Sequence, residues 1–220
     1  MKVIVENVSA EIVEKKSRFI SNIFYIANEK EAEEKLIFIR KKYYDAKHNC
    51  FAYVIGKNTD IVKSSDDGEP QGTAGHPMLD ILKGNNLTNC IAIVTRYFGG
   101  TLLGTGGLVR AYSDSLKAAI LNAKLSELFD AYEVSFNISY EDYGKIENIV
   151  QNINEFSGSQ KSVYSVDKVF EDVVKIKYLV NVDVFEKLSK ELTNITKGKV
   201  TLDKHNQKNY YLVGKEIKYL

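Results

Sequence analysis

Cysteine, proline and arginine are scarce in this sequence, and long apolar runs are missing. Only two cysteines occur in 220 residues, Cys50 and Cys90, each inside a separate strand-like run. Reduced, packed thiols fit that placement better than a disulfide scaffold does, with a catalytic thiol as the other reading. Apolar runs such as CIAIV at Cys90–Val94 stop far short of the roughly 20 residues that cross a bilayer. The N-terminal MKVIVENVSAEIVEKK mixes acids with bases and lacks the apolar core of a signal peptide. A cytoplasmic location without membrane contact is therefore expected. Nor does one sign of charge dominate, since 30 basic residues stand against 29 acidic ones. No global field draws the protein to nucleic acid or anionic lipid, so any such binding must come from a local patch. What is present in quantity is ordinary: 44% hydrophobic residues, enough for one large or two small folded domains.

Hydrophobic periodicity changes near residue 130. Ahead of it, SRFISNIFYIA reads as a strand, and Ala32, Leu36, Ile39 and Tyr43 recur at helical spacing. NCFAYVIG and DIVKSS read as further strands, and MLDILKG after Pro77 as a short helix stopped by Gly84. CIAIVTRYF reads as a buried strand and LVRAYSDSLKAAILNA as a helix with Leu108, Tyr112 and Leu116 on one side. Beyond about Asp130, VSFNIS and VVKIKYLV alternate. Tyr143, Ile146, Val150 and Ile153, then Phe185, Leu188, Leu192 and Ile195, mark two helices, and KVTLD predicts a last strand. With a strand around Val163 the order is βαββαβ, the ferredoxin-like pattern. The expectation is an α+β chain of two domains, residues 1–130 and 131–205, with a tail at 206–220 that reads as an edge strand or a free arm.

Unusual backbone geometry is concentrated in one window. Nine of the 14 glycines and both prolines lie between Gly68 and Gly107. Two of the four arginines, Arg96 and Arg110, bracket RYFGGTLLGTGGLVRAY, whereas the other 26 basic residues are lysine. Arginine supplies a planar fork suited to phosphate, carboxylate or aromatic stacking; an ordinary ion pair is the other reading. A dinucleotide fingerprint fails because Val109 stands where a third glycine is required, and a Walker loop fails because Thr105 replaces the lysine. A more general arrangement remains: Thr105, Gly106 and Gly107 stand where a helix begins. First-turn N–H groups there receive a phosphate or carboxylate, with Arg110 one turn further on. A close-packed glycine loop is the alternative, and both stay open.

In SSDDGEPQGTAGHP, Asp66, Asp67 and Glu69 fall within four positions. Pro70 and Gly72 break any EF-hand register, so the spacing favours a solvated acidic turn over a metal site. His48, His76 and Cys50 have no zinc spacing, and His205 lies in the other half of the chain. No G-x-S-x-G occurs and nothing fixes a base beside a nucleophile, so no catalytic residue is assigned and no cofactor or metal is expected.

Together, DDGEPQGTAGHPMLDIL and VTRYFGGTLLGTGGLVRAYSDSLKAAI resemble the signature of the Impact/YigZ family. The resemblance implies a first domain similar to the ribosomal-protein and elongation-factor-G domain IV fold, and a ferredoxin-like second domain similar to domain V of that factor. Eukaryotic members bind a ribosome-associated activator and restrain a kinase acting on an initiation factor. The leading expectation is a non-enzymatic, translation-linked regulator that binds the ribosome or structured RNA through a groove formed by the two motifs. The first motif contributes Asp66, Asp67, Glu69, Gly72, Thr73 and Gly75. The second contributes Arg96, Tyr97, Phe98, Gly99, Gly100, Gly104, Thr105, Gly106, Gly107 and Arg110. The arginines and loop amides would meet phosphate, while Tyr97 and Phe98 would stack on bases or fill the core. Two alternatives stand beside it: a protein-interaction module receiving a peptide or partner protein, and a metal-dependent hydrolase built on Asp66, Asp67 and Glu69.

Overall fold

A computed structural model describes residues 1–157, 161–202, 204 and 206–219; Asp203 of KVTLD and His205 lie outside the described residues. Contacts gather into two units, residues 1–128 with 212–214 and residues 129–211 with 215–220. Among the described residues no helix is long and apolar enough to cross a membrane.

The first unit runs β1 (Lys2–Ile4), β2 (Val8–Glu14), β3 (Ser17–Tyr25), α1 (Glu29–Lys42), β4 (His48–Ile55), β5 (Ile61–Ser65), α2 (Gly75–Gly84), β6 (Cys90–Tyr97), α3 (Gly104–Leu121) and β7 (Leu125–Glu127). Five strands form an antiparallel sheet in the order β2-β3-β6-β4-β5, and β1 pairs with β7 in a separate ribbon. The central strands read as near-continuous apolar runs because helices cover both of their faces. On one face Phe19, Ile23, Ala52, Val54, Ala92 and Val94 pack with Met78 and Leu82 of α2 and Leu108, Tyr112 and Leu116 of α3. On the other, Phe51, Tyr53, Ile91 and Ile93 pack with Ala32 and Ile39 of α1. Helix α1 starts where the N-cap Asn28 accepts the Glu31 N–H at 3.0 Å, and the Glu31 carboxylate accepts the N–H of Ala27, the residue before the cap, at 2.9 Å. Helix α2 begins ahead of Pro77 rather than after it, because a first-turn proline gives up an N–H that has no helical partner.

The remaining elements are β8 (Phe129–Ile138), α4 (Tyr140–Phe156), β9 (Val163–Phe170), β10 (Val174–Asn181), α5 (Val182–Ile195), β11 (Gln207–Val213) and β12 (Glu216–Tyr219), which make up the second unit apart from the last two residues of β11. Their sheet order is β12-β11-β8-β10-β9. Ile146 and Ile153 of α4 and Phe185, Leu188 and Leu192 of α5 pack on Val134, Phe136, Ile176, Tyr178 and Val180. The expected strand at KVTLD is corrected: residues 199–202 form no strand. Val200 reaches the core from a loop, with Leu202 half-buried beside it, which accounts for the alternation. The strand beside β8 is β11, where Gln207 pairs with Tyr132 and Tyr210 with Phe129.

Candidate functional site at the junction of the two motifs

The first motif leaves β5 and folds around its own carboxylates. Asp66 accepts three backbone N–H groups, from Gly72 at 2.8 Å and from Ala74 and Gly75 at 2.9 Å each. The anion position at the start of α2 is thus filled from within the chain, where the N-cap residue Ala74 offers no side-chain bond. Burial opposes the Asp66 charge, but the bonds from Gly72, Gly75 and Ala74 outweigh it and hold the carboxyl below its ordinary 3.8. Asp67 accepts from Arg40 Nη2 and from the Asn49 N–H, both at 2.7 Å. The Thr73 hydroxyl donates to the Pro70 carbonyl at 2.6 Å. Gly75 lets α2 approach β5, since a Cβ there would lie 2.7 Å from the Ser65 nitrogen.

The second motif meets the first beneath the surface. Arg96 Nη1 donates to Glu69 Oε1 at 2.7 Å and Oε2 at 3.0 Å, with the two residues only 7% and 9% exposed. The Tyr112 hydroxyl donates to Glu69 Oε1 at 2.8 Å. Cys50 Sγ lies 3.3 Å from that hydroxyl and 2.9 Å from the Asp66 carbonyl, and burial pushes its thiol up to about 12. The Arg96 guanidinium is also flanked by the rings of Phe19 and Phe98, at 5.5 and 5.7 Å. The two motifs therefore meet on a buried ion pair, with the Arg96 guanidinium turned to Glu69. Sequence reasoning placed Tyr112 on a helix face and Cys50 in a strand; nothing in the sequence flagged that their polar atoms complete this network.

Farther along the second motif the residues turn outward. The Tyr97 hydroxyl donates to Asp45 at 2.7 Å and its ring lies 5.4 Å from the Arg18 guanidinium. Phe98 is 58% and Leu102 84% exposed, so neither fills the core. Gly99 is steric: a Cβ would lie 2.0 Å from the Lys16 carbonyl carbon, and its N–H donates to Ser17 Oγ at 3.1 Å. Gly100 and Gly104 have φ of +85° and +71°, as turns favour. Gly107 sits over Leu103, with a Cβ 3.1 Å from the Leu103 Cβ. Gly106 is different, because nothing lies within 4 Å of its Cβ position and its φ is not left-handed. Thr105 and Arg110 are exposed. A pocket of about 190 Å³ between β2 and α3 is lined by Ile12, Glu14, Lys15, Leu103, Gly107, Arg110, Ala111 and Asp114. Among the described residues no group of three or more His, Cys, Asp or Glu side chains is placed to hold a metal.

The sequence profile of the Impact N-terminal domain matches residues 15–120. The chain is 41% identical over 196 residues to the IMPACT family member YvyE of Bacillus subtilis, covering 87% of this chain and 88% of that protein. It is 38% identical over 138 residues to the IMPACT family member YigZ of Escherichia coli, covering 62% of this chain and 68% of YigZ. A crystal structure described as that of a hypothetical protein superposes with a TM-score of 0.58 at 27% identity, covering 98% of each chain.

Proposed function

We propose, from the premise that the chain belongs to the IMPACT family, that it is a non-enzymatic, translation-linked regulator. It binds RNA or the ribosome through the glycine face at the start of α3. One observation carries the reading: α3 opens with Gly104-Thr105-Gly106-Gly107, has no side-chain cap and no acidic residue in its first turn, and leaves open space over Gly104 and Gly106. Those amides remain available to a phosphate oxygen, a contact that positions a nucleic-acid backbone without reading its sequence. Arg110 and the exposed Lys15 and Lys16 of the β2–β3 turn add positive charge nearby. Arg96, Asp66, Asp67 and Glu69 hold the two motifs in place and are not themselves contacts. The translation link is supported by the family resemblance. The strand order of the second unit supports reading it as a ferredoxin-like domain of the elongation-factor-G type, and the first unit is read as resembling domain IV of that factor.

Ribosome sedimentation at low and high salt, together with binding to structured RNA, tests the reading. The protein should travel with ribosomes at low salt and leave them as salt rises. Arg110→Ala should weaken binding, and Gly106→Asp should abolish it while leaving the helix intact, because an acid in the first turn suits the helix and repels phosphate. Full RNA affinity in both variants removes this face from the mechanism. The exposed Phe98 and Leu102 favour a second reading, a partner protein docked on the same loop. Partners still captured from nuclease-treated lysate, and lost on Leu102→Ser, would establish it.

A further inference from the structure

The whole chain is nearly neutral, but one exposed segment of the first unit is locally basic. From Lys35 to His48 there are five basic residues, Lys35, Arg40, Lys41, Lys42 and Lys47, against the single acid Asp45; the rest of the chain has 25 basic and 28 acidic residues. This segment forms the C-terminal half of α1 and the turn after it. The helix dipole gives a local reason for Arg40, Lys41 and Lys42, since cations in a last turn are stabilising. It gives none for Lys47, which lies beyond the helix, nor for Tyr44, which is 85% exposed although the adjacent Tyr43 packs against the core. Arg40 is paired with Asp67. Among the described residues Lys41, Lys42 and Lys47 have no carboxylate partner. Lys42 stands 5.0 Å from the Tyr43 ring, so charge and aromatic surface are interleaved.

Unpaired lysines beside an exposed aromatic face match the chemistry of single-stranded nucleic acid, whose backbone needs point charges and whose unstacked bases need a flat platform. A duplex offers the charges but keeps its base faces stacked. We propose that the end of α1 is a contact surface for single-stranded RNA, with Lys41, Lys42 and Lys47 against the phosphates and Tyr44 stacked on an unpaired base. The proposal rests on the RNA reading above and adds a second contact region that neither glycine-rich motif contains.

Fluorescence anisotropy with a short labelled oligouridylate, across a salt series, tests it. Replacing Lys41 and Lys42 together by glutamine should reduce the magnitude of the slope of log affinity against log salt by about 1.4, roughly 0.7 per phosphate contact on a single strand. Tyr44→Ala should weaken binding about 5- to 150-fold with the slope unchanged, and Tyr44→Phe should restore it. These side chains are exposed, so far-UV circular dichroism should match the parent protein in all three variants. Unchanged slope and affinity overturn the proposal, as does displacement of the RNA by polyglutamate at equal charge, which points to an acidic polypeptide instead. Binding lost in Gly106→Asp but untouched by the α1 variants sinks this surface and spares the wider reading. No RNA binding by the parent protein sinks both.

Discussion

Glu69 is an acid placed where water hardly reaches, and its charge is tolerable only because Arg96 and Tyr112 meet it there. A buried pair of this kind adds little net stability over apolar replacements, yet removing one member leaves an uncompensated charge at a cost of about 3–5 kcal/mol. Arg96→Met is expected to destabilise the protein by that amount in urea titration. The double variant Arg96→Met, Glu69→Met should recover most of it, since no buried charge is then left alone. An Arg96→Met protein as stable as the parent would mean that the pair does not hold the motifs together. The residue types of this network were plain in the sequence, but their roles were not. Glu69 and Arg96 are 27 residues apart, and a charged side chain that turns inward to a distant partner reads the same, letter by letter, as one that faces a ligand.

Glycine shows at the scale of elements what spacing alone left open, because Gly99 and Gly106 belong to one motif and answer to different demands. At Gly99 the loop after β6 lies against the Lys15–Lys16 turn, whose two residues both have positive φ, and any Cβ collides with main chain. Gly99→Ala should therefore cost about 3 kcal/mol, the upper range for overpacking where backbone must move. Gly106→Ala meets open space in a helical turn and should be neutral or stabilising by up to about 1 kcal/mol. Thermal melts of the two variants check both signs, and equal destabilisation would show that Gly106 is a packing residue too. Periodicity made β3, β4, β6, α1 and α3 legible, since each buries a regular stripe or a continuous run. It failed at β2, whose Val8, Ala10 and Ile12 are only half-buried. It failed again at KVTLD, where residues 199–202 form a loop that mimics a strand because Val200 and Leu202 both pack toward the core. Strand β11 is defined by hydrogen bonds to β8, a partner that no local pattern names.

Two separate cores imply two separately measurable stabilities for the whole molecule. The clusters around β3, β4 and β6 draw on residues up to Ile120 and Ala123, and the cluster around β8 and β10 begins at Tyr132, so among the described residues no member of one cluster belongs to another unit's cluster. Both cysteines lie in the first unit and are fully buried. Burial pushes each thiol up to about 12, so a thiol reagent at about pH 8 meets almost no thiolate until that unit opens. Leu188→Ala removes a fully buried side chain from the second core and should destabilise it by about 2–5 kcal/mol. If the cores act independently, labelling of Cys50 and Cys90 will proceed at the parent rate in that variant, even as amide exchange in α4 and α5 accelerates. Leu116→Ala in the first core should do the reverse, raising the labelling rate with little effect on α4 and α5. Faster labelling in Leu188→Ala would show that the two units share their stability and must open together.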